Sequence, residues 1–125
     1  MKLRTQINKN LRIHTITGII STGKIMEHLR LFYKSPEYNP AMNSLWDLRE
    51  ADFTEVEPHE VRGLMEMVKG HWGKNDTAKS ALLVTKDLDF GLARMYEMLM
   101  DGGTAGSVMV FRDYNEAVEW LEDSD

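Results

Sequence analysis

One segment of the chain has the spacing of a phosphate-binding loop. Residues 18–24 fit the pattern G-x-x-x-x-G-K and lie between a predicted strand and a predicted helix. Ile25 follows, at the position where that motif needs a serine or threonine hydroxyl for magnesium. Ile19 and Ile20 are typical of a continuing strand, not of amides wrapped around a phosphate. We interpret the segment as a turn and predict no cofactor.

The four histidines do not form a metal-binding pattern. His14, His28, His59 and His71 include no pair three or four residues apart. A helix carrying both His59 and His71 would point them about 120° apart, which gives no zinc-binding face. The chain also has no cysteine to supply a thiolate. We predict no metal site and expect each histidine to be at the surface or partly buried.

Acidic residues cluster where helices are predicted to begin. Glu55, Glu57 and Glu60 surround the start of one helix, and Asp87 and Asp89 the start of another. A catalytic carboxylate pair is one interpretation. The positive end of a helix dipole attracts carboxylates and explains both clusters without chemistry. We therefore predict no catalytic residue.

Composition restricts the class of protein. The chain has 125 residues, of which 42% are hydrophobic and 28% charged, as in ordinary globular proteins. Its net charge of −5 and its scattered lysines and arginines argue against nucleic-acid binding. No apolar run is long enough for a membrane span or a signal peptide. We expect a cytoplasmic protein that is not embedded in a membrane.

Hydrophobic periodicity predicts one α/β domain over residues 1–125, with the order β-β-α-β-α-β-α-β-α. The turn between the first two strands falls at residues 8–10, where asparagine tolerates positive φ. Repeated β–α alternation predicts parallel strands. The predicted strands cover residues 3–7, 11–16, 43–48, 80–85 and 107–111. Asp113 is predicted to cap the last of the four helices. The predicted inward faces of the helices are, in chain order, Ile25, Leu29, Phe32 and Tyr33; Val61, Leu64, Met65, Val68 and Trp72; Leu88, Leu92, Met95 and Leu99; and Ala117, Val118 and Leu121.

The second and third helices are rich in methionine. The third carries a second apolar stripe beside the first, which favours deep burial, a partner or a pocket. Methionine adapts to irregular apolar surfaces, although plain core packing explains it as well. The candidate apolar surface consists of Met65, Phe90, Met95, Tyr96, Met98 and Met100.

Three stretches of the chain, together with the order of elements, carry a resemblance to a known family: residues 45–51; residues 90–97; and residues 110–113 with 116–117 and 120–121. On these stretches the chain resembles the SpoIIAA-like branch of the STAS domains. It implies a right-handed βα superhelix whose five-stranded, mostly parallel mixed sheet has an antiparallel edge strand. The CRAL-TRIO lipid carriers are similar in fold.

The resemblance also implies a function, from which the sequence departs. STAS domains of the anti-sigma-factor antagonist type are non-enzymatic protein-binding switches with a phosphorylated serine in an Asp-Ser pair. Glu55 and Val56 stand where that pair is expected, with Thr54 as a weak substitute. Valine cannot be phosphorylated, so the phospho-switch does not carry over.

These observations predict a non-catalytic module that binds a protein partner. The alternative is a carrier or sensor of a small apolar, lipid-like ligand in a pocket lined by the methionine-rich helices, and an enzyme ranks third. A homodimer is another way to cover an apolar face. Ligands of open α/β sheets meet the loops at the carboxyl ends of the strands. The candidate rim there consists of Arg49, Thr54, Glu55, Lys86, Asp87, Phe90, Arg112 and Asp113.

Overall fold

The computed structural model describes residues 1–71, 78–101 and 107–123. The strands are β1 (Lys2–Asn8), β2 (Leu11–Ile19), β3 (Asn43–Asp52), β4 (Lys79–Leu83) and β5 (Ser107–Phe111). The helices are α1 (Thr22–Tyr33), α2 (Pro58–His71), α3 (Asp87–Asp101) and α4 (Tyr114–Glu122). Within these ranges no helix is both long and apolar enough to cross a membrane.

The strands form one mixed sheet in chain order, β1-β2-β3-β4-β5. β1 pairs antiparallel with β2, and each later pair of neighbours is parallel. Helices join the parallel neighbours, because parallel strands need a long crossover. The predicted element order, the mostly parallel sheet and the antiparallel edge strand are confirmed.

Helices cover both faces of this sheet. α1, α2 and α3 pack on one face, where the larger core cluster joins Leu29 and Ala93 to Ile16 of β2. α4 packs on the other face, where Leu121 belongs to a smaller cluster with Leu45 of β3. The central strands are therefore covered on both faces. For such strands, the alternation of apolar and polar residues along the sequence does not show which face is more deeply buried.

Two features of β1 and β2 depend on backbone conformation. Lys9 and Asn10 form the two-residue hairpin turn, and the positive φ of 59° falls on Lys9, not on an asparagine. Gly18 has a φ of 87° near the irregularity in the β2–β3 pairing. Glycine adopts that conformation at little cost, so β2 can continue to Ile19 beside β3.

Acidic side chains stabilise two helix starts, as the sequence predicts. Asp113 accepts a hydrogen bond from the Glu116 N–H (3.1 Å) and caps α4. Glu60 reaches back to accept from the Glu57 N–H (2.9 Å) at the start of α2. The Thr22 hydroxyl also donates to Glu60 (2.9 Å) and links the starts of α1 and α2. At both positions the helix-start interpretation is confirmed.

The predicted inward face of α3 is only partly correct. Leu88, the first residue of the predicted stripe, is 57% exposed, and the later members are only half-buried. The buried residues of α3 are Asp89, Ala93, Glu97 and Met100 instead. The apolar side chains extend over two neighbouring stripes, and the hydrophobic pattern cannot tell which of them faces the sheet.

Candidate functional site

A cavity of about 120 Å³ lies between the sheet and helices α1, α2 and α3. We call it the central cavity. An engineered apolar cavity of about 150 Å³ binds benzene, so this space suits a ring-sized group. Its aromatic lining residues are Phe32, Tyr33, Tyr38, Trp46, Phe53 and Tyr96, and its polar ones are Arg12, His14, Thr22, Ser44 and Ser80. Aliphatic side chains, including Ile16, Ile20, Leu48, Val56, Val61, Leu64, Val68 and Leu82, form most of the remaining wall.

The floor of the central cavity is polar at one end only. Arg12, Ser44 and Ser80 are register partners across β2, β3 and β4 and form one row near the amino ends of these strands. His14 and Trp46 form the next row. Farther along the same face, the strands carry aliphatic side chains. The strand floor of the cavity is therefore amphipathic along the strand direction, and Thr22 at the start of α1 adds one polar group near the opposite end.

Arg12 is held at the polar end by aromatic rings. Its side chain is only 9% exposed, and its guanidinium carbon lies 5.2 Å from the ring centres of both Phe32 and Tyr38. One guanidinium nitrogen donates to the Asn39 carbonyl at 3.5 Å. Cation–π contacts of this kind stabilise a positive charge in a partly desolvated place.

His14 is buried beside Arg12 and remains uncharged at neutral pH. It is 1% exposed and stacks on Trp46 with the ring centres 4.2 Å apart. Burial, followed by the positive charge of Arg12, lowers the pKa of His14 from 6.5 to about 3. The expectation that each histidine is at the surface or partly buried is wrong here, because the His14 imidazole, in its neutral form, packs like an aromatic side chain.

A threonine hydroxyl joins His14 to a second histidine. Thr5 Oγ1 lies 2.7 Å from His14 Nδ1 and 3.1 Å from His28 Nε2. The hydroxyl has one proton, so it donates to one ring and accepts from the other. A hydroxyl beside an imidazole has the geometry of a nucleophile and its base. With a pKa near 3, however, His14 is a weak base at neutral pH, and Thr5 does not line the central cavity.

Aromatic contacts connect α1 and α2 next to the polar end of the central cavity. The rings of Tyr33 in α1 and His71 in α2 stack with centres 3.6 Å apart. His71 Nε2 also lies 3.1 Å from the Tyr38 hydroxyl. Tyr96 of α3 reaches the same cavity, and burial, then the nearby Tyr33, raises the pKa of its hydroxyl well above 10. This wall is therefore aromatic, and the Tyr96 hydroxyl in it stays protonated around neutral pH.

The predicted rim forms two groups. In the first, Arg112 after β5 bonds Asp87 at the start of α3 (2.9 Å) and lies over the ring of Phe90 (4.4 Å). The neighbouring Lys86 and Leu88 are exposed. These contacts bring together the loops that follow β4 and β5, as expected for the carboxyl edge of a parallel sheet.

The second group lies beside the start of α4. Arg49 pairs with Asp47 (2.9 Å), and its guanidinium carbon lies 5.5 Å from the ring centre of Tyr114. The hydrogen bond from Arg49 lowers the pKa of Asp47. Asp113 is used as the cap of α4. Arg49 and Asp113 are thus accounted for by local structure.

The segment that stands where the Asp-Ser pair is expected contributes to both the rim and the central cavity. Asp52 accepts the Thr54 N–H at 2.9 Å, and this bond lowers the pKa of Asp52. Thr54 and Glu55 are exposed at the rim, whereas Val56 lines the central cavity. The residue at the expected serine position is therefore part of an apolar wall.

Asp89 is a buried carboxyl group at the same edge. It is 3% exposed, and its Oδ2 has no hydrogen-bond partner within the described part of the chain. Burial raises the pKa of Asp89, and the neighbouring charge of Asp52 adds to this effect although Lys86 opposes it. The described residues contain no group of three potential metal-ligating side chains here or elsewhere.

The methionines do not line the central cavity. α2 and α3 do contribute to its wall, but through Val61, Leu64, Val68, Leu92, Ala93 and Tyr96. Met100, at 1% exposure, belongs to the core, and Met65 packs against it. Met98 is 63% exposed, and Met95 and Phe90 are half-buried. The candidate apolar surface is therefore not one continuous surface, because its members face both the core and the solvent.

Sequence reasoning missed the polar row on the cavity floor. The signal lies in β2, where Arg12 and His14 alternate with Leu11 and Ile13. We expect the apolar positions of such a strand to be the buried ones. In the structure Arg12 and His14 are buried and Leu11 and Ile13 half-buried, since β2 is covered on both faces.

The segment with the phosphate-loop pattern is a strand end followed by a helix start, and the predicted turn is shortened to the two residues between them, Ile20 and Ser21. β2 continues to Ile19, and the Ser21 hydroxyl caps α1 by accepting the Lys24 N–H at 3.3 Å. A glycine-rich stretch over residues 102–106, which the sequence predicts to be a connector before the last strand, lies outside the described residues, as does Trp72.

No protein-family model and no curated protein matches this chain. It is similar in structure to an uncharacterized protein of the DUF3478 family, with a SpoIIAA-like fold, from Shewanella loihica PV-4. The TM-score is 0.60 at 16% sequence identity, and the match covers 96% of this chain and 92% of that one. The SpoIIAA-like fold is confirmed.

Proposed function

We propose that this chain binds a small apolar ligand in the central cavity and catalyses no reaction on it. The cavity itself is the observation that carries the proposal. It combines a wall of aromatic and aliphatic side chains with a few polar groups, most of which lie on the strands near their amino ends. Small-molecule sites commonly have this composition, because apolar walls provide affinity and a few polar groups fix the orientation.

The described polar groups of the cavity support binding better than catalysis. Ser44 and Ser80 bond each other at 2.9 Å and are not adjacent to a strong base. His14 has a pKa near 3 and has its Nδ1 engaged with Thr5. A general base works best with a pKa near the working pH, which His14 does not meet.

Titration with toluene, followed by NMR of the methyl groups of Leu64, Val68 and Leu92, tests the proposal. Toluene is expected to shift these cavity-lining resonances. An Ala93→Leu substitution places extra carbons in the cavity wall and is expected to abolish the shifts. Ala41→Leu makes the same change at an exposed position and serves as the matched control.

Two results would contradict this proposal. One is the absence of shifts at toluene concentrations near its solubility limit. The other is an equal response in the wild-type protein and the folded Ala93→Leu variant, since toluene would then bind elsewhere.

A protein partner at the first rim group is the second candidate function. The observation in its favour is Leu88, which is 57% exposed beside the Arg112–Asp87 pair. An exposed leucine next to an arginine that also contacts an aromatic ring resembles the composition of interface centres.

Binding by a Leu88→Asp variant tests this candidate. A specific partner is expected to bind the wild-type chain and a Leu31→Asp control but not Leu88→Asp. Leu31 is the suitable control because it is 65% exposed on α1, away from this rim. A partner that binds all three proteins equally would show that this rim is not its docking surface.

A further inference from the structure

We infer that the ligand of the central cavity is a phenol or another small neutral alcohol, with its hydroxyl bound by the Ser44–Ser80 pair. The assignment rests on the proposed function and adds a headgroup and an orientation to it. Three observations carry it: the hydrogen-bonding capacity of the two serines, the contacts of other polar lining residues, and the shape of the remaining space.

The two serines form a pair that can both donate and accept. Ser44 Oγ and Ser80 Oγ lie 2.9 Å apart, on register partners of β3 and β4, and both residues line the cavity. Each hydroxyl has one proton and two lone pairs, and the mutual hydrogen bond uses one of the two protons. Within the described residues neither hydroxyl has another hydrogen-bond partner. One proton is therefore left for an acceptor, and lone pairs are left for a donor.

A hydroxyl group is the headgroup that completes this pair. It accepts the remaining serine proton and donates its own proton to the other serine, so that three hydroxyls close a ring of hydrogen bonds. Hydrogen bonds in such a network polarise and strengthen one another where the dielectric constant is low. Ser44 is only 2% exposed, so bulk water does not provide its partners. A carbonyl oxygen would use only the proton, and a methyl group would use neither capacity.

Three other polar side chains of the lining are engaged with neighbours. Arg12 contacts two aromatic rings and donates to a backbone carbonyl. Nδ1 of His14 lies 2.7 Å from the Thr5 hydroxyl. The Thr22 hydroxyl donates its proton to Glu60. The serine pair, in contrast, still has a proton to donate, and the headgroup therefore lies there.

The remaining space selects the apolar part of the ligand. Alternate residues of a strand share one face, so Trp46 and Leu48 follow Ser44 along β3, and Leu82 follows Ser80 along β4. The volume of about 120 Å³ suits one ring or a chain of similar bulk. The ligand hydroxyl therefore points toward the amino ends of the strands, and the apolar group extends over the floor toward their carboxyl ends.

Replacement of the serine pair tests this assignment. Phenol and toluene have the same number of non-hydrogen atoms and differ only in a hydroxyl or a methyl group. A Ser44→Ala/Ser80→Ala variant is expected to bind phenol about five- to tenfold more weakly than the wild type does, with toluene affinity changed by less than about twofold. NMR titration of the cavity-lining methyl groups at neutral pH measures both. Thr85→Ala removes an exposed hydroxyl after β4 and is the control, with both affinities unchanged.

Two further comparisons test the headgroup and its position. Anisole keeps an oxygen acceptor but has no proton to donate, so the serine replacement is expected to weaken its binding less than that of phenol. An equal loss for both would overturn the hydroxyl assignment. Tyr96→Phe removes a hydroxyl from the helical wall of the cavity. A larger loss of phenol affinity there than in the serine variant would place the headgroup on α3 and overturn the position.

The failure of this inference is distinguishable from the failure of the proposed function. Equal phenol affinities of the wild type and the serine variant would overturn the headgroup, while toluene shifts would still support the cavity. Silence from all three probes in the wild type would contradict the proposed function itself. If the double variant fails to fold, Ser80→Ala alone provides the measurement, with an expected severalfold loss of phenol affinity and unchanged toluene binding.

Discussion

The Thr5 hydroxyl lies 2.7 Å from Nδ1 of His14 and connects the edge strand β1 to a buried imidazole on β2. His14 is almost completely buried, and the face of its ring stacks on Trp46. Protonation would place a second positive charge beside Arg12 and would force both donors of the ring to find acceptors. The position therefore stabilises the neutral ring, and folding becomes coupled to pH.

The first prediction is that His14 destabilises the folded protein in acid. Its pKa is about 3 in the folded chain and 6.5 ordinarily, so between these values the unfolded chain binds a proton that the folded chain does not. The free energy of unfolding then falls as the pH falls, by up to about 1.4 kcal/mol per pH unit from this residue, with no further loss below pH 3.

Urea unfolding of the wild type and a His14→Gln variant between pH 7 and pH 4 measures this contribution. The variant is expected to be less stable at pH 7, since it loses the stacking on Trp46. Its stability is also expected to fall less steeply with acid. Leu31→Gln, at an exposed position, is the control. Parallel pH profiles for wild type and His14→Gln would show that His14 is not responsible.

The second prediction concerns the cap of α4. Asp113→Ala removes the acceptor of the Glu116 N–H and is expected to lower the free energy of unfolding by about 1 kcal/mol. Asp113→Asn retains a side-chain oxygen at the same place and is expected to lower the free energy of unfolding by much less. Urea unfolding at neutral pH measures both. Equal losses for the two variants would mean that charge, and not capping, makes the contribution.

The sequence predicts the fold well because its signals are local. The apolar run before Thr85 indicates a buried strand, and Asp113 with Glu116 indicates a helix start. The structure has a strand and a helix start at these places. Some element ends differ from the prediction by a few residues. For example, β3 continues to Asp52, because β2 pairs with it up to Ile19.

The candidate site is less predictable, because it depends on register between distant strands. Arg12, Ser44 and Ser80 are far apart in sequence and become one row only when β2, β3 and β4 pair as they do. Nothing in their local patterns specifies that register. The contact between Asp87 and Arg112 was easier to predict, since both lie in connections that follow parallel strands and such connections share one edge of the sheet.

The third prediction distinguishes core from surface leucines. Leu45 of β3 is fully buried in the cluster under α4, so Leu45→Ala leaves a cavity there. It is expected to lower the free energy of unfolding by about 2 to 5 kcal/mol. Leu31→Ala, at 65% exposure, is expected to cost less than about 0.5 kcal/mol. Chemical denaturation of both variants measures the difference, and similar losses would contradict the placement of α4 over β3.

The fourth prediction concerns the edge of the sheet at β5, the last strand in the order of the described strands. The Phe111 carbonyl accepts from Val84 beside β4 (3.0 Å), so the neighbouring Val110 N–H points away from β4, toward the edge. Glu97 of α3 covers that donor, with its Oε2 2.7 Å from the Val110 nitrogen and its Oε1 paired with Arg94. An uncovered edge strand is a template for pairing with another chain.

Replacement of this carboxylate is therefore expected to increase self-association and to reduce stability together. Glu97→Ala leaves the Val110 N–H without its acceptor and is expected to lower the free energy of unfolding by about 1 to 3 kcal/mol. Sedimentation velocity over a range of concentrations is expected to show more dimer or larger species than the wild type. Glu97→Gln keeps one side-chain oxygen as an acceptor and is expected to remain closer to the wild type in both measurements. If Glu97→Ala loses stability but associates no more than Glu97→Gln, the bond to Val110 stabilises the packing of α3 on β5 without protecting the edge.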